Sequence, residues 1–108
     1  MTDSAVALDM IAPEDCQSMA EVRAGIDALD LDIVGLLAIR FRFMTAAARI
    51  KADRGAVRDE PRKVAVIANA RAEAERLGVP PQVIGDIWER LVEGSIAYEF
   101  DRWDEHRA

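Results

Sequence analysis

The stretch LLAIRFRFMTAAARIK, residues 36–51, lies in the longest helical pattern of the chain. Apolar residues recur there at steps of three and four, and neither Gly nor Pro interrupts them, which predicts an α-helix. Two cations, Arg40 and Lys51, fall on the apolar stripe. Eleven residues make three turns plus about 20°, so both side chains project from one face and can converge on a small anion. The alternative is that Arg40 extends to water and Lys51 complements the helix dipole.

The same pattern extends in both directions, from Met19 to about Asp53. Ser18 is predicted to cap the helix, with Glu21 as its partner in a capping box. Residues 1–17 are expected to form a flexible leader. The stripe consists of Val22, Ile26, Leu29, Ile33, Leu36, Arg40, Met44, Ala47 and Lys51.

Two shorter helices follow. The segment DRGAVRDEP, residues 53–61, interrupts the pattern, because Gly55 can adopt the left-handed conformation and Pro61 suits only a first turn. Asp59 is predicted to cap a second helix, Glu60–Leu77, which Gly78 ends. VPPQ opens a third helix that runs to about Trp103. The predicted inward sides carry Val64, Ile67, Ala68, Arg71 and Ala74 in the second helix, and Ile84, Trp88, Leu91, Ser95 and Glu99 in the third.

The predicted fold is all-α, with three helices in a single domain, residues 18–105. A first helix of about 34 residues is roughly 50 Å long. A compact chain of this size has a radius of gyration of only about 13 Å, so two shorter helices cannot cover the whole rod. A second copy of the chain is the simplest partner, which predicts a homodimer. The alternative is a kink near Gly35 that folds the helix back.

Composition excludes several classes of function. The 108 residues carry a net charge of −6, which argues against general binding to nucleic acid or anionic membranes. One cysteine, Cys16, and one histidine, His106, leave no metal or disulfide framework. No apolar run is long enough to span a membrane, and the N-terminal residues lack the basic start of a signal peptide. The expectation is a cytoplasmic protein without cofactor or metal.

Further polar residues lie on or near the inward faces. Ser95 and Glu99 form an i, i+4 pair, and a buried Glu99 requires partners that Arg40 and Lys51 would supply. Arg62 opens the second helix and would close the same site. Arg23 lies about 25 Å along the helix axis from Arg40, so only the Arg23 of an antiparallel partner would reach that site. Each of these residues alone is equally well explained as a surface residue or a local ion pair.

Three segments resemble the AroQ-type chorismate mutases: residues 13–40 (PEDCQSMAEVRAGIDALDLDIVGLLAIR), 57–62 (VRDEPR) and 95–103 (SIAYEFDRW). The first segment, with its PEDC start, is most similar to the isochorismate-pyruvate lyase branch of the family. The resemblance implies an intertwined dimer of three-helix chains that binds a dianion, chorismate or isochorismate. The implied substrate-binding residues are Arg23 from the partner chain, Arg40, Lys51 at the ether oxygen of the breaking bond, Arg62, and the pocket residues Asp59, Ser95 and Glu99.

Two residues depart from the family pattern. Lys63 stands where the mutases usually have a Glu that binds the substrate's ring hydroxyl. Glu99 stands where the bacterial enzymes usually have a Gln that donates to the ether oxygen, and a carboxyl group donates only when protonated.

The expected function is chorismate mutase, with Lys51, Glu99 and Arg40 as catalytic residues. Isochorismate-pyruvate lyase and a non-catalytic helical dimer are the alternatives; a di-metal helical bundle would need Glu-x-x-His pairs, which the sequence lacks.

Overall fold

A computed structural model describes residues 11–108, so residues 1–10 of the expected leader lie outside the described residues. Its three α-helices are α1 (Met19–Ile50), α2 (Glu60–Leu77) and α3 (Pro81–His106). Short 3₁₀ turns occupy Pro13–Asp15 and Arg54–Ala56, and the described residues contain no strand. The prediction of an all-α chain with three helices is therefore confirmed.

Local chemistry sets the starts of α1 and α2 and the end of α2 as predicted. The Glu21 backbone N–H donates to the Ser18 hydroxyl at 3.2 Å, and the Glu21 carboxylate accepts from the Gln17 N–H at 2.7 Å. The capping box is therefore present, although the Glu21 carboxylate binds the N–H of Gln17, the residue before the cap, and not that of Ser18. At α2, the Asp59 carboxylate accepts from the Arg62 N–H at 3.0 Å. Gly78 ends α2 with a φ of 76°, a conformation that suits glycine.

Two helix ends differ from the prediction. The helix α1 ends at Ile50 rather than near Asp53, and α3 continues past Trp103 to His106. Gly55 does not adopt the left-handed conformation; among the described residues only Gly78 has a positive φ. The reason is tertiary, because the last turn of α3 supplies donors to the end of α1 and replaces the turn that a left-handed glycine would have made.

The chain divides into two compact units, Met1–Arg40 and Phe41–Ala108. In the first unit, α1 passes through Gly35 without interruption, so the chain does not fold back there. Large apolar side chains of this unit are exposed in the single chain, among them Leu31 (76%), Val34 (62%) and Leu36 (63%).

The core of the second unit lies between α2, α3 and the loop before α2. Val57, Val92 and Ile96 are buried, and half-buried apolar side chains pack around them: Val66, Ile67, Trp88, Phe100 and Trp103. The inward side of α2 was predicted only in part. Ile67 and Ala74 face the core, but Val64 and Ala68 are exposed and Val66 packs inward instead.

A network of ion pairs joins α2 to α3 beside this core. The Lys63 ammonium lies 2.7 Å from carboxylate oxygens of both Glu89 and Glu93. The Arg58 guanidinium makes two hydrogen bonds to Glu93, of 2.7 and 3.1 Å, and a further one to Glu60. The hydrogen bonds from Arg58 and then Lys63 lower the pKa of Glu93 to about 2. Lys63 is therefore occupied by α3 carboxylates.

This network predicts a pH-dependent stability difference between the wild type and Glu93→Gln. The folded-state pKa of Glu93 is about 2, against an ordinary value of 4.5. The folded state therefore binds fewer protons, so the stabilisation is complete above pH 4.5 and is lost as the pH falls towards 2. Glu93→Gln should lower the Tm at pH 7, and the difference should vanish near pH 2, as thermal unfolding followed by circular dichroism will measure.

The matched control for that experiment is Glu75→Gln, which removes an exposed carboxylate of α2. Its Tm should stay close to that of the wild type at pH 7. A Tm difference for Glu93→Gln that persists unchanged down to pH 2 would exclude the ion pairs as its cause.

Candidate functional site

The end of α1 and the middle of α3 bring Lys51 and Glu99 together. The Lys51 Nζ lies 2.8 Å from the Glu99 Oε2. The Glu99 side chain is only 5% exposed, whereas that of Lys51 is 31% exposed. A buried carboxylate requires a charged or hydrogen-bonding partner, and Lys51 supplies it. The ammonium remains accessible from solvent, so a ligand can reach it directly.

The Glu99 carboxylate retains capacity for a further bond. Among the described residues no group completes a hydrogen bond to its Oε2, although the Lys51 ammonium is within ion-pair distance. A buried polar atom in this state is costly unless a ligand or water completes it. The Lys51 ammonium has three N–H donors, so a contact with Glu99 leaves donors for an anionic ligand.

Ser95 lies one helical turn before Glu99 on the same face of α3, and it is buried. Its hydroxyl donates to the Leu91 carbonyl oxygen at 2.7 Å, so the proton is directed at the backbone of its own helix. Ser95 therefore lies next to the Lys51–Glu99 pair as a small polar residue of the core.

Asp59 and Arg62 meet at the first turn of α2. The Asp59 carboxylate accepts the Arg62 backbone N–H, and both side chains are exposed. This bond assigns Asp59 a role in starting α2, in agreement with its predicted cap. The Arg62 guanidinium is not used by that bond.

Arg23 and Arg40 both lie on α1 in the first unit of the chain. Arg23 is exposed and Arg40 is half-buried. Both residues belong to that unit, whereas the Lys51–Glu99 pair belongs to the second.

Two residues that the sequence analysis did not assign to the site contact the backbone of Lys51. The Trp103 indole N–H donates to the Lys51 carbonyl oxygen at 3.1 Å, and the Arg107 Nη2 donates to the same oxygen at 2.7 Å. Glu99, Trp103 and Arg107 are spaced i, i+4, i+8, which places them near one face at the end of α3. That spacing was the available signal for their association.

The end of α1 is held on α3 by an additional polar contact. The hydroxyl groups of Thr45 and Tyr98 lie 3.2 Å apart, and the Tyr98 ring meets Phe41 edge to face at 5.0 Å between centroids. These contacts fix the helix turns that precede Lys51.

Within residues 11–108, no helix has the length and apolar character needed to cross a membrane. In the same range, no three His, Cys, Asp or Glu side chains are grouped so that they could hold a metal ion.

Comparison with known proteins identifies clear relatives. A family model described as chorismate mutase type II matches residues 22–100. The chain is 34% identical to an isochorismate pyruvate lyase from Pseudomonas aeruginosa over 99 residues, which cover 91% of this chain and 97% of that protein. It is also 33% identical over 85 residues to a T-protein from Enterobacter agglomerans and 29% identical over 84 residues to one from Haemophilus influenzae. These matches cover 78% and 77% of this chain but only 23% and 22% of the two T-proteins.

Proposed function

The chain belongs to the chorismate mutase type II family, and we propose that it converts chorismate to prephenate at a site built around Lys51 and Glu99. The observation that carries the assignment of the site is the contact between a buried carboxylate and a solvent-accessible ammonium, 2.8 Å apart. Both groups lie in the part of the chain that the family model matches.

The chemistry requires no nucleophile, metal or cofactor, because the rearrangement is concerted and intramolecular. The protein must hold a flexible dianion in its compact reactive shape and place positive charge where the breaking C–O bond leaves negative charge on the ether oxygen. We assign that second task to the Lys51 ammonium, whose remaining N–H donors can reach the ether oxygen and a carboxylate. A protonated Glu99 would donate a second hydrogen bond to the ether oxygen.

The remaining proposed residues bind and enclose the substrate. Arg40 would hold one carboxylate region and Arg23 of the partner subunit the other. The exposed Arg62 guanidinium would form one wall of the site. Asp59, whose carboxylate accepts the Arg62 backbone N–H, would line the same wall. Ser95 would line the pocket beside Glu99.

The contribution of Arg23 requires a second copy of the chain, so we propose a homodimer. Leu31, Val34 and Leu36 are each more than three-fifths exposed in the single chain although they lie on different sides of α1. Residues 33–39 of α1, IVGLLAI, are apolar all round, and a helical segment of that kind is normally buried on all sides. A helix of 32 residues is about 48 Å long, which leaves room for a partner along most of its length.

The proposed function is tested by incubating the pure protein with chorismate and identifying the product. Prephenate should form with saturation kinetics. If no product forms from chorismate while the protein is folded, the assignment of mutase activity fails. A folded chain that converts neither chorismate nor isochorismate would be the non-catalytic alternative.

Isochorismate-pyruvate lyase is the second candidate function. It is favoured by the similarity to the Pseudomonas aeruginosa lyase over nearly the full length of both chains. Lys63 also supports it, because this side chain is bound to Glu89 and Glu93 where the mutases usually present a Glu to the ring hydroxyl. The two activities are separated by their products: salicylate and pyruvate from isochorismate, or prephenate from chorismate. Comparison of kcat/KM for the two substrates decides between them.

The proposed role of Glu99 predicts that a neutral donor can replace it. Glu99→Gln supplies an N–H donor at the same place, so its kcat/KM for chorismate should be at least that of the wild type. Glu99→Ala supplies no donor, so its kcat/KM should fall by about 100-fold. The measurement is kcat/KM for both variants, with circular dichroism to confirm that each is folded. Full activity in folded Glu99→Ala would show that Glu99 is not the donor to the ether oxygen.

A further inference from the structure

The end of α1 is completed by side chains from the end of α3. The last four carbonyl groups of an α-helix lack partners within the helix. The Lys51 N–H makes the final bond of this kind, to the Ala47 carbonyl at 2.9 Å. Of the carbonyls that follow, that of Ala48 accepts from Arg107 Nη1 at 2.9 Å, and that of Lys51 accepts from Arg107 Nη2 at 2.7 Å.

Trp103 both holds the Arg107 guanidinium and contacts Lys51 itself. The guanidinium lies over the Trp103 ring, 4.2 Å from its centroid. The indole N–H donates to the Lys51 carbonyl oxygen at 3.1 Å. That oxygen therefore accepts two side-chain donors, one of which is charged and oriented by stacking.

We propose that Trp103 and Arg107 are positioning residues for Lys51, because they hold its backbone carbonyl and thereby fix where its ammonium meets the substrate. This inference rests on the proposed function of Lys51. Neither residue touches the reacting atoms in this arrangement; each acts through the Lys51 backbone.

The two contacts from Trp103 and Arg107 to the Lys51 carbonyl, called the clamp below, matter for the rate. Lys51 has a flexible four-carbon stem, and it lies one residue beyond the last residue of α1. The structure holds it at two points: the carbonyl by Trp103 and Arg107, and the ammonium by Glu99. A displacement of about 1 Å of a group at the reacting centre can cost about 100-fold in rate. Loss of the clamp should therefore lower kcat.

The test compares Arg107→Ala, Arg107→Lys and Trp103→Phe with the wild type. Arg107→Ala should lower both the Tm and kcat, with kcat about tenfold lower and KM within about twofold. Arg107→Lys keeps a cation at the C-terminus of α1, which suffices for the helix dipole, so its Tm should recover. Its ammonium lacks the planar fork that spans two carbonyls, so its kcat should stay low. Trp103→Phe keeps an aromatic ring but removes the N–H donor together with part of the indole, and its kcat should fall as well.

The matched control is Arg102→Ala. Arg102 is a half-buried arginine near the end of α3, and like Arg107 it stacks on an aromatic ring, that of Tyr98, at 5.0 Å. It forms an ion pair with Glu105, one turn further along its own part of the chain. Its loss should affect the Tm without changing kcat. If Arg107→Lys restores kcat together with the Tm, or if Trp103→Phe keeps full kcat, the residues are only a helix cap and the proposal is overturned.

A readout that needs no turnover separates this inference from the proposed function. The ¹³C chemical shift of the Lys51 carbonyl reports its hydrogen bonds, and it should change in Arg107→Lys and Trp103→Phe but not in Arg102→Ala. An unchanged shift would overturn the clamp whatever the activity. If the wild type converts neither chorismate nor isochorismate while the shift changes as expected, the proposed function fails and the clamp stands as a structural feature.

Discussion

Lys51→Ala should lower kcat by two to three orders of magnitude, roughly the cost of removing one group that stabilises developing oxyanion charge. The Lys51 ammonium is the cation that contacts the buried Glu99, and it is accessible enough to meet a ligand. KM should rise as well, because the same ammonium is proposed to contact a substrate carboxylate. Steady-state kinetics with chorismate measure both effects.

Two controls separate this loss from damage to the fold. Lys51→Ala leaves the buried Glu99 carboxylate without its cation, which lowers stability. The double variant Lys51→Ala/Glu99→Gln contains no unpaired carboxylate there, so it should regain stability and remain inactive. Arg76→Ala removes an exposed cation of α2 that pairs with Glu73, and should change kcat by less than about twofold. Wild-type kcat in folded Lys51→Ala would refute the proposed site.

Mixing two inactive variants, Arg23→Ala and Lys51→Ala, should restore activity if the site is shared between subunits. In a mixed dimer, one site combines the intact Lys51 of one chain with the intact Arg23 of the other, and the second site lacks both. Random exchange makes half of the dimers mixed, so about a quarter of wild-type activity should appear. Each variant alone should have at most a few per cent of that activity. The physical reason is that a substrate carboxylate loses its cation in every site of the unmixed Arg23→Ala protein.

The exchange experiment has its own controls. The two variants are unfolded and refolded together, and size-exclusion chromatography with light scattering confirms the mass of a dimer. Mixing Lys51→Ala with Glu99→Ala should restore little, because both residues are assigned to the same chain and every mixed site lacks one of them. Recovery in that pair, or a monomeric mass for the wild type, would contradict the shared site.

Much of the fold followed from short-range rules of the sequence. The periodic apolar positions predicted three helices, Ser18 and Asp59 were identified as caps, and Gly78 ended α2 as expected. These features depend on residues at most four positions apart, where helix geometry alone decides which groups can meet. The resemblance to the chorismate mutases likewise rested on short segments, and the family match confirmed it.

Packing between distant parts of the chain decided the inward side of α2, the end of α1 and the conformation of Gly55. The inward side of α2 includes Val66 rather than Val64, because α3 and the loop before α2 select which turn of the helix is covered. In the same way, the last turn of α3 shortened α1 and left Gly55 in an ordinary conformation. Each outcome depends on a neighbour that is distant along the chain.

The sequence by itself determined where the helices lie, how they are capped, and that Arg40 and Lys51 were candidate cations for a buried Glu99. Only the tertiary structure decided that the Lys51 ammonium meets the Glu99 carboxylate and that Trp103 and Arg107 hold the Lys51 carbonyl. These last contacts join residues 52 and 56 positions apart. Their acceptor is a backbone oxygen, and every residue carries one, so no pattern of side chains can reveal which carbonyl a distant donor will reach.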